Sequence, residues 1–161
     1  MTDDEFYKWF SGITDGEGCM YARLKPLPSG NTTVYCEFKI GLRIDDKPIL
    51  DSIQQRLNIG MVHRVKAGRG DAKAQAVFRV IDQDELYNNI LPIFSKYRLN
   101  SKKQKDFDVW KRIVTICATS DPTKHIAELE PLVNALKSGR KEFVGQPVAP
   151  GNLPIDHMIR T

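Results

Sequence analysis

Between positions 10 and 18 the chain reads Phe10-Ser11-Gly12-Ile13-Thr14-Asp15-Gly16-Glu17-Gly18, and this stretch gathers the groups best able to do chemistry. The acids Asp15 and Glu17 follow directly on an apolar run over 6–13 and are split by a glycine. They sit where a helix is expected to give way to a strand. Glycine at 16 and 18 opens backbone angles closed to other residues, so the chain can turn sharply and its carbonyls stay accessible. Carboxylate and carbonyl oxygens together suit a hard divalent cation such as Mg²⁺. A lone Asp-Gly-Glu-Gly is more commonly an exposed turn, so the surrounding elements decide the reading.

A chain of 161 residues is long enough for one well-packed domain. Its hydrophobic fraction of 41% is ordinary for a globular protein. The net charge is +4, with Lys and Arg clustered over 64–73 and 96–112, which suits a polyanionic partner and equally suits solvated faces. Cys19, Cys36 and Cys117 have no CxxC spacing and have apolar neighbours. They read as reduced, buried thiols in an intracellular, reducing compartment. His63, His125 and His157 form no zinc-ligand pattern. No run approaches the ~20 apolar residues that span a bilayer, so no membrane partner is expected. The acidic start reads as neither a signal nor a transit peptide.

Residues 5–13 predict a short helix in which Ser11 and Gly12 are small enough to let a second helix approach. Over 34–44, Val34, Cys36, Phe38, Ile40, Leu42 and Ile44 alternate with Tyr35, Glu37, Lys39 and Arg43. That is a strand with one buried and one wet face. Over 20–25, Met20, Ala22 and Leu24 point inward and Tyr21, Arg23 and Lys25 outward, and turn chemistry over 26–32 joins the two strands as a hairpin. Asp45-Asp46-Lys47-Pro48 predicts a helix start, with Gly60 as the stop. A second hairpin spans 61–81, turning around 67–71. Ala76, Phe78 and Val80 face inward and Gln75 and Arg79 outward, while the parity of His63, Arg64 and Lys66 stays open. Three helices follow: one over 83–97 bent at Pro92, one capped by Ser101, and one from Asp121-Pro122 to Gly139. Residues 140–161 read as a tail or linker, leaving one domain over 1–139. The fold class is α+β, an αββαββα core whose four-stranded antiparallel sheet is covered by helices on one face.

Residues 10–18 resemble the motif of the LAGLIDADG homing endonucleases. Gly12, Asp15 and Gly18 match outright and Ile13 is a close apolar substitute, whereas Phe10, Ser11, Thr14, Gly16 and Glu17 depart from it. The element order over about 5–137 is also that of the family. The resemblance implies a site-specific, Mg²⁺-dependent endonuclease that breaks both strands of DNA at a long, roughly palindromic intron-insertion site. It assigns Glu17 as the catalytic metal ligand, aided by the Gly16 carbonyl, with Asp15 shaping the helix end. It places a lysine at the head of the helix after Ser101: Lys102, with Lys103 the rival one residue on. It also places a polar residue near the cleavage centre at Asp46, where a helix cap explains the residue equally well.

One motif gives one main acid, and cutting both strands needs two sites. The resemblance therefore implies a homodimer joined around Phe10, Ser11, Gly12 and Thr14, or a second half in a longer two-motif chain. The wet sheet face is expected to read double-stranded DNA in the major groove. Its candidate contacts are Tyr21, Arg23, Lys25, Tyr35, Glu37, Lys39, Arg43, His63, Arg64, Lys66, Arg69, Gln75 and Arg79. Arg and Lys suit guanine edges or phosphates, Glu37 a cytosine amine and Gln75 an adenine. Two other functions share the fold: an RNA maturase acting on group I intron RNA, and a DNA-binding regulator that no longer cuts. Family resemblance also suggests a mitochondrion, a chloroplast or a prokaryotic cytoplasm.

Overall fold

A capping box starts the first helix. The Thr2 hydroxyl accepts the Glu5 N–H at 3.3 Å, and the Glu5 carboxylate accepts the Thr2 N–H at 2.7 Å. Helix α1 then runs Asp3–Glu17 in this computed structural model, which describes residues 1–66 and 73–144, with side chains to 137. It is longer at both ends than the apolar run predicts. The cap lies upstream of the apolar stripe, and Gly16 does not halt the helix, so both motif acids fall within its last turn. Phe6, Phe10, Ser11 and Thr14 form its buried stripe.

Strands β1 (Gly18–Pro26) and β2 (Thr32–Arg43) pair antiparallel with Met20 opposite Phe38. A single turn, Ile44–Asp46, leads into α2 (Lys47–Leu57), which Asn58 ends in the left-handed conformation at φ 53°. The stop therefore comes earlier than Gly60. Strands β3 (Met61–Val65) and β4 (Gln75–Val80) pair antiparallel, and the sheet order is β1-β2-β4-β3. The turn expected over 67–71, with Arg69, lies outside the described residues.

Helix α3 (Gln83–Glu85) passes through a π turn, Leu86–Ile90, into α4 (Leu91–Lys96). Pro92 explains the wide turn: it lacks an N–H, and its ring crowds the carbonyl four residues back. The Leu91 N–H accordingly bonds to Leu86 O, one residue further than in an α-helix. Helix α5 spans Lys103–Thr119 and α6 spans Ile126–Val144. Helix α6 runs through Gly139, where the sequence predicts an end; one interior glycine costs a helix only about 1 kcal/mol.

The inward sheet face carries Met20, Ala22, Val34, Cys36, Phe38, Ile40, Ala76, Phe78 and Val80, all buried. Phe38 has no exposed surface and meets the rings of Phe10, Phe78 and Phe94. Burying one such ring stabilises by roughly 1.5–3 kcal/mol. Trp110 is fully buried, and its Nε1–H donates to the Tyr21 carbonyl at 3.1 Å, which ties α5 to β1. This anchors the element that begins at the motif.

Candidate active site

The carboxyl end of α1 is held by three groups. The Asp15 carboxylate accepts the backbone N–H of Asn100 at 2.8 Å and of Ser101 at 2.9 Å. Burial pushes the Asp15 carboxyl up, but these hydrogen bonds and the Lys103 charge outweigh it and its pKa is lowered. The Lys103 ammonium donates to the carbonyls of Thr14 at 3.1 Å, Asp15 at 2.8 Å and Gly16 at 3.2 Å. Thr14 O also accepts the Gly18 N–H that closes the helix, and together these carbonyls form its negative end. Burial lowers the Lys103 pKa against the opposing pull of Cys19, Asp15 and Glu17.

The lysine beside the motif is thus Lys103, and the expectation for Lys102 is corrected. Ser101 Oγ accepts the Lys103 N–H at 3.2 Å, but the cap position of α5 falls on Lys102 and carries no side-chain cap bond, so the cap expected at Ser101 lies one residue early. Lys102 is exposed in the preceding cap position. One residue is about 100° of helical turn, enough to decide which side chain reaches α1.

Glu17 is exposed at the end of α1, and the chain enters β1 at once. A Cβ at Gly18 would stand 2.5 Å from Thr14 Cγ2 and 2.7 Å from Thr14 O, so only glycine fits. Its φ is −75°, so close approach, not an unusual backbone angle, demands it. Glu17 borders a groove of about 400 Å³ whose other walls are Cys19, Lys39, Gly41, Val65, Gln75, Val77 and Arg79. Asp46 is exposed at the head of α2, makes no side-chain cap bond, and does not line this groove.

The Glu17 carboxylate and Gly16 carbonyl are hard oxygen donors of the kind Mg²⁺ takes. The Gly16 carbonyl accepts one hydrogen bond from Lys103 and keeps a second lone pair. Among the described residues, no three His, Cys, Asp or Glu side chains converge as a complete cage. The donor set therefore fits the ion as part of a coordination sphere.

Strand register lays out the wet face in rows. Cys19, Lys39 and Arg79 form one row, ending at Met61; Tyr21 pairs with Glu37, Arg23 with Tyr35, and Lys25 with Thr33. The Arg23 guanidinium carbon lies 5.2 Å from the centre of the Tyr35 ring. Arg43, Gln75 and Val65 form another row, and Arg43 also pairs with Asp45 at 3.1 Å. His63 pairs with Val77 and so shares this face, which settles its parity. Arg64 pairs with Ala76 on the other parity and is exposed on the edge strand, as is Lys66 just beyond it. Sequence reasoning missed the exposed Met61 and Val65, which lie on the face with the buried Val77. The available signal was the spacing of two within β3.

Two groups of expected residues are corrected. Glu37 has the outward parity but is buried, with its carboxylate covered by Tyr35, Lys39 and Arg79. The alternation gives its face, but here its carboxylate is turned to these neighbours and not to solvent. Phe10, Ser11 and Thr14 turn into the domain, and the Ser11 hydroxyl donates to the Tyr97 carbonyl at 2.8 Å. The outer stripe of α1 is instead Trp9, Gly12 and Gly16, and among the described residues a Cβ at either glycine meets nothing within 4 Å. Spacings of three and four put these on one helical face.

The family profile described as LAGLIDADG endonuclease matches residues 10–114. The chain is 34% identical over 111 residues to an uncharacterized mitochondrial protein, RF1, of Saccharomyces cerevisiae, covering 67% of this chain and 21% of that protein. It is 30% identical over 111 residues to a probable intron-encoded endonuclease 2 of Neurospora crassa, covering 67% and 24%. Among solved structures, the I-LtrWI LAGLIDADG homing endonuclease bound to target DNA aligns with a TM-score of 0.68 and 28% identity, over 80% of this chain and 43% of that one. The I-SmaMI enzyme bound to cleaved DNA shares the fold with a TM-score of 0.73 and 22% identity, over 83% and 44%. The chain thus spans under a quarter of these curated relatives and less than half of each of these solved chains.

Proposed function

The chain belongs to the LAGLIDADG endonuclease family, and from that premise we propose that it is a Mg²⁺-dependent unit that cuts DNA at a homing site. The observation that carries this reading is the exposed Glu17 carboxylate at the mouth of the groove that also holds Lys39 and Arg79. Glu17 and the Gly16 carbonyl would hold the metal, which when bound stabilises the attacking and departing oxygens of phosphodiester hydrolysis. Lys103 keeps a positive charge beside these donors and holds the end of α1 in place. Arg23, Lys25, Lys39, Arg43 and Arg79 supply the cationic sheet that phosphates and guanine edges favour. Met61 and Val65 add apolar surface of the kind a thymine methyl meets.

One motif acid serves one strand, so a second α1 is required. The open stripe of Trp9, Gly12 and Gly16 supports packing against it. A second copy of this chain would give a roughly palindromic target; a second half in a longer chain would not.

The test is Glu17→Gln, which keeps shape and removes charge. With Mg²⁺ and the intronless host DNA, cleavage is expected to disappear while affinity stays within about tenfold, or ~1.4 kcal/mol. Cleavage retained by the variant removes Glu17 from the metal site. A wild-type chain that binds group I intron RNA and leaves the DNA intact is a maturase instead.

A further inference from the structure

Glu37 is an anion in an unexpected place. It stands mid-strand on the wet face, yet it is only 4% exposed. Its Oε2 accepts the Tyr35 hydroxyl at 2.6 Å. Its Oε1 lies 3.4 Å from Lys39 Nζ and 3.5 Å from Arg79 Nε. Burying a carboxylate is unfavourable unless cations and donors surround it, so this placement is maintained by what it holds.

What it holds is the pair of cations that line the groove with Glu17. Lys39 and Arg79 are directly opposed across β2 and β4. Like charges in that relation repel. Glu37, two residues along β2 from Lys39, lies within ion-pair range of both. Its Oε1 and the Arg79 Nε complete no hydrogen bond, so the contact is electrostatic and leaves the rest of each cation available. The Lys39 and Arg79 side chains keep 39% and 34% of their surface exposed. Burial, followed by the hydrogen bond and charge of Glu37, pushes the Tyr35 pKa up to about 12, so its hydroxyl stays a donor.

We propose that Glu37 is a positioning residue: it touches no DNA, and it fixes Lys39 and Arg79 in one pose toward the strand that enters the groove at Glu17. The inference rests on the DNA-cleaving reading above. Fixed cations lose less freedom on binding and reward one arrangement of bases and phosphates. The buried anion also subtracts from the sequence-blind attraction of the sheet for phosphate.

The test uses the full chain and synthetic duplexes of randomised sequence, from which the wild type selects a target. Glu37→Gln keeps an acceptor for Tyr35 and removes the charge. It is expected to lose about tenfold in discrimination at the base pairs nearest the cut. Its affinity for a scrambled duplex is expected to rise, with the log–log salt slope steeper by about 0.9. Glu37→Asp, which keeps the charge, is expected to retain the wild-type slope. Unchanged discrimination overturns the proposal, as does an equal fall for target and scrambled duplex with an unchanged slope. Should Glu37→Gln fail to fold, Tyr35→Phe decides: it frees Oε2 without altering any charge, so discrimination falls at a constant slope, and intact discrimination overturns the role. A wild type that selects no sequence at all overturns the DNA-reading proposal and this inference together; one that selects a target which Glu37→Gln reads equally well overturns only this one.

Discussion

Asp15 and Glu17 are one residue apart and differently occupied. Asp15 spends both oxygens on the backbone of Asn100 and Ser101, while Glu17 stands exposed at the groove. Asp15→Asn replaces one acceptor with a donor that faces an N–H. We expect it to destabilise by about 1–3 kcal/mol, read as a lower denaturant midpoint at unchanged slope. The motif made both acids legible, but not the lysine. Lys102 and Lys103 are the same residue type, and which one turns toward α1 follows from where the helix starts, with Lys102 in the cap position and Lys103 in the first turn. Glu37 was misread for a related reason: parity gives the face of a side chain, but not what lies over it. Tyr35 gives that cluster a signature in pH. Its folded pKa lies above the usual value of 10, so its contribution to stability is complete below about pH 10 and is lost as pH rises toward about 12. Tyr35→Phe is expected to flatten the fall in melting temperature over that window relative to wild type. A wild-type profile and a variant profile that run parallel there would remove Tyr35 from the buried cluster.

Strand β2 makes separable predictions because its two faces do different work. Phe38 is enclosed by Phe10, Phe78 and Phe94, so Phe38→Ala is expected to lower stability by roughly 3–5 kcal/mol without redirecting specificity. Arg43 is exposed on the other face, and Arg43→Ala is expected to relax preference at one base-pair position in each half-site. A cleavage profile over all single-base target variants separates the two; an Arg43→Ala profile identical to wild type would show that the residue reads no base. Strands β1 and β2 were legible because their alternation is nearly unbroken. Strand β3 was not, since Met61, Val62 and Val65 do not alternate and only pairing with β4 assigns the faces. Helix ends failed for a different reason. Gly16 and Gly139 look like stops, yet a lone glycine weakens a helix without ending it, and the cap at Thr2 lies outside the apolar run.

At the scale of the whole molecule, the element order announced the αββαββα core, but the placement of β4 between β2 and β3 comes only from the sheet. The outward face of α1 was half legible. Gly12 was anticipated there, but its chain neighbour Ser11 points the opposite way and binds the Tyr97 carbonyl. That opposition separates assembly from folding. A Cβ at position 12 meets nothing within 4 Å among the described residues, and leucine favours a helix over glycine by nearly 1 kcal/mol. Gly12→Leu is therefore expected to melt at or above the wild-type temperature. It would nonetheless hold a second α1 away, because close backbone approach needs small residues on both helices. Double-strand cutting should be lost while the chain remains folded. Ser11→Leu should do the reverse, unfolding the domain at lower temperature by crowding a buried site. Sedimentation and a plasmid-linearisation assay read the two effects. Full linearisation by Gly12→Leu, or by a wild-type chain that sediments as a monomer on its target, would sink the pairing of two α1 helices.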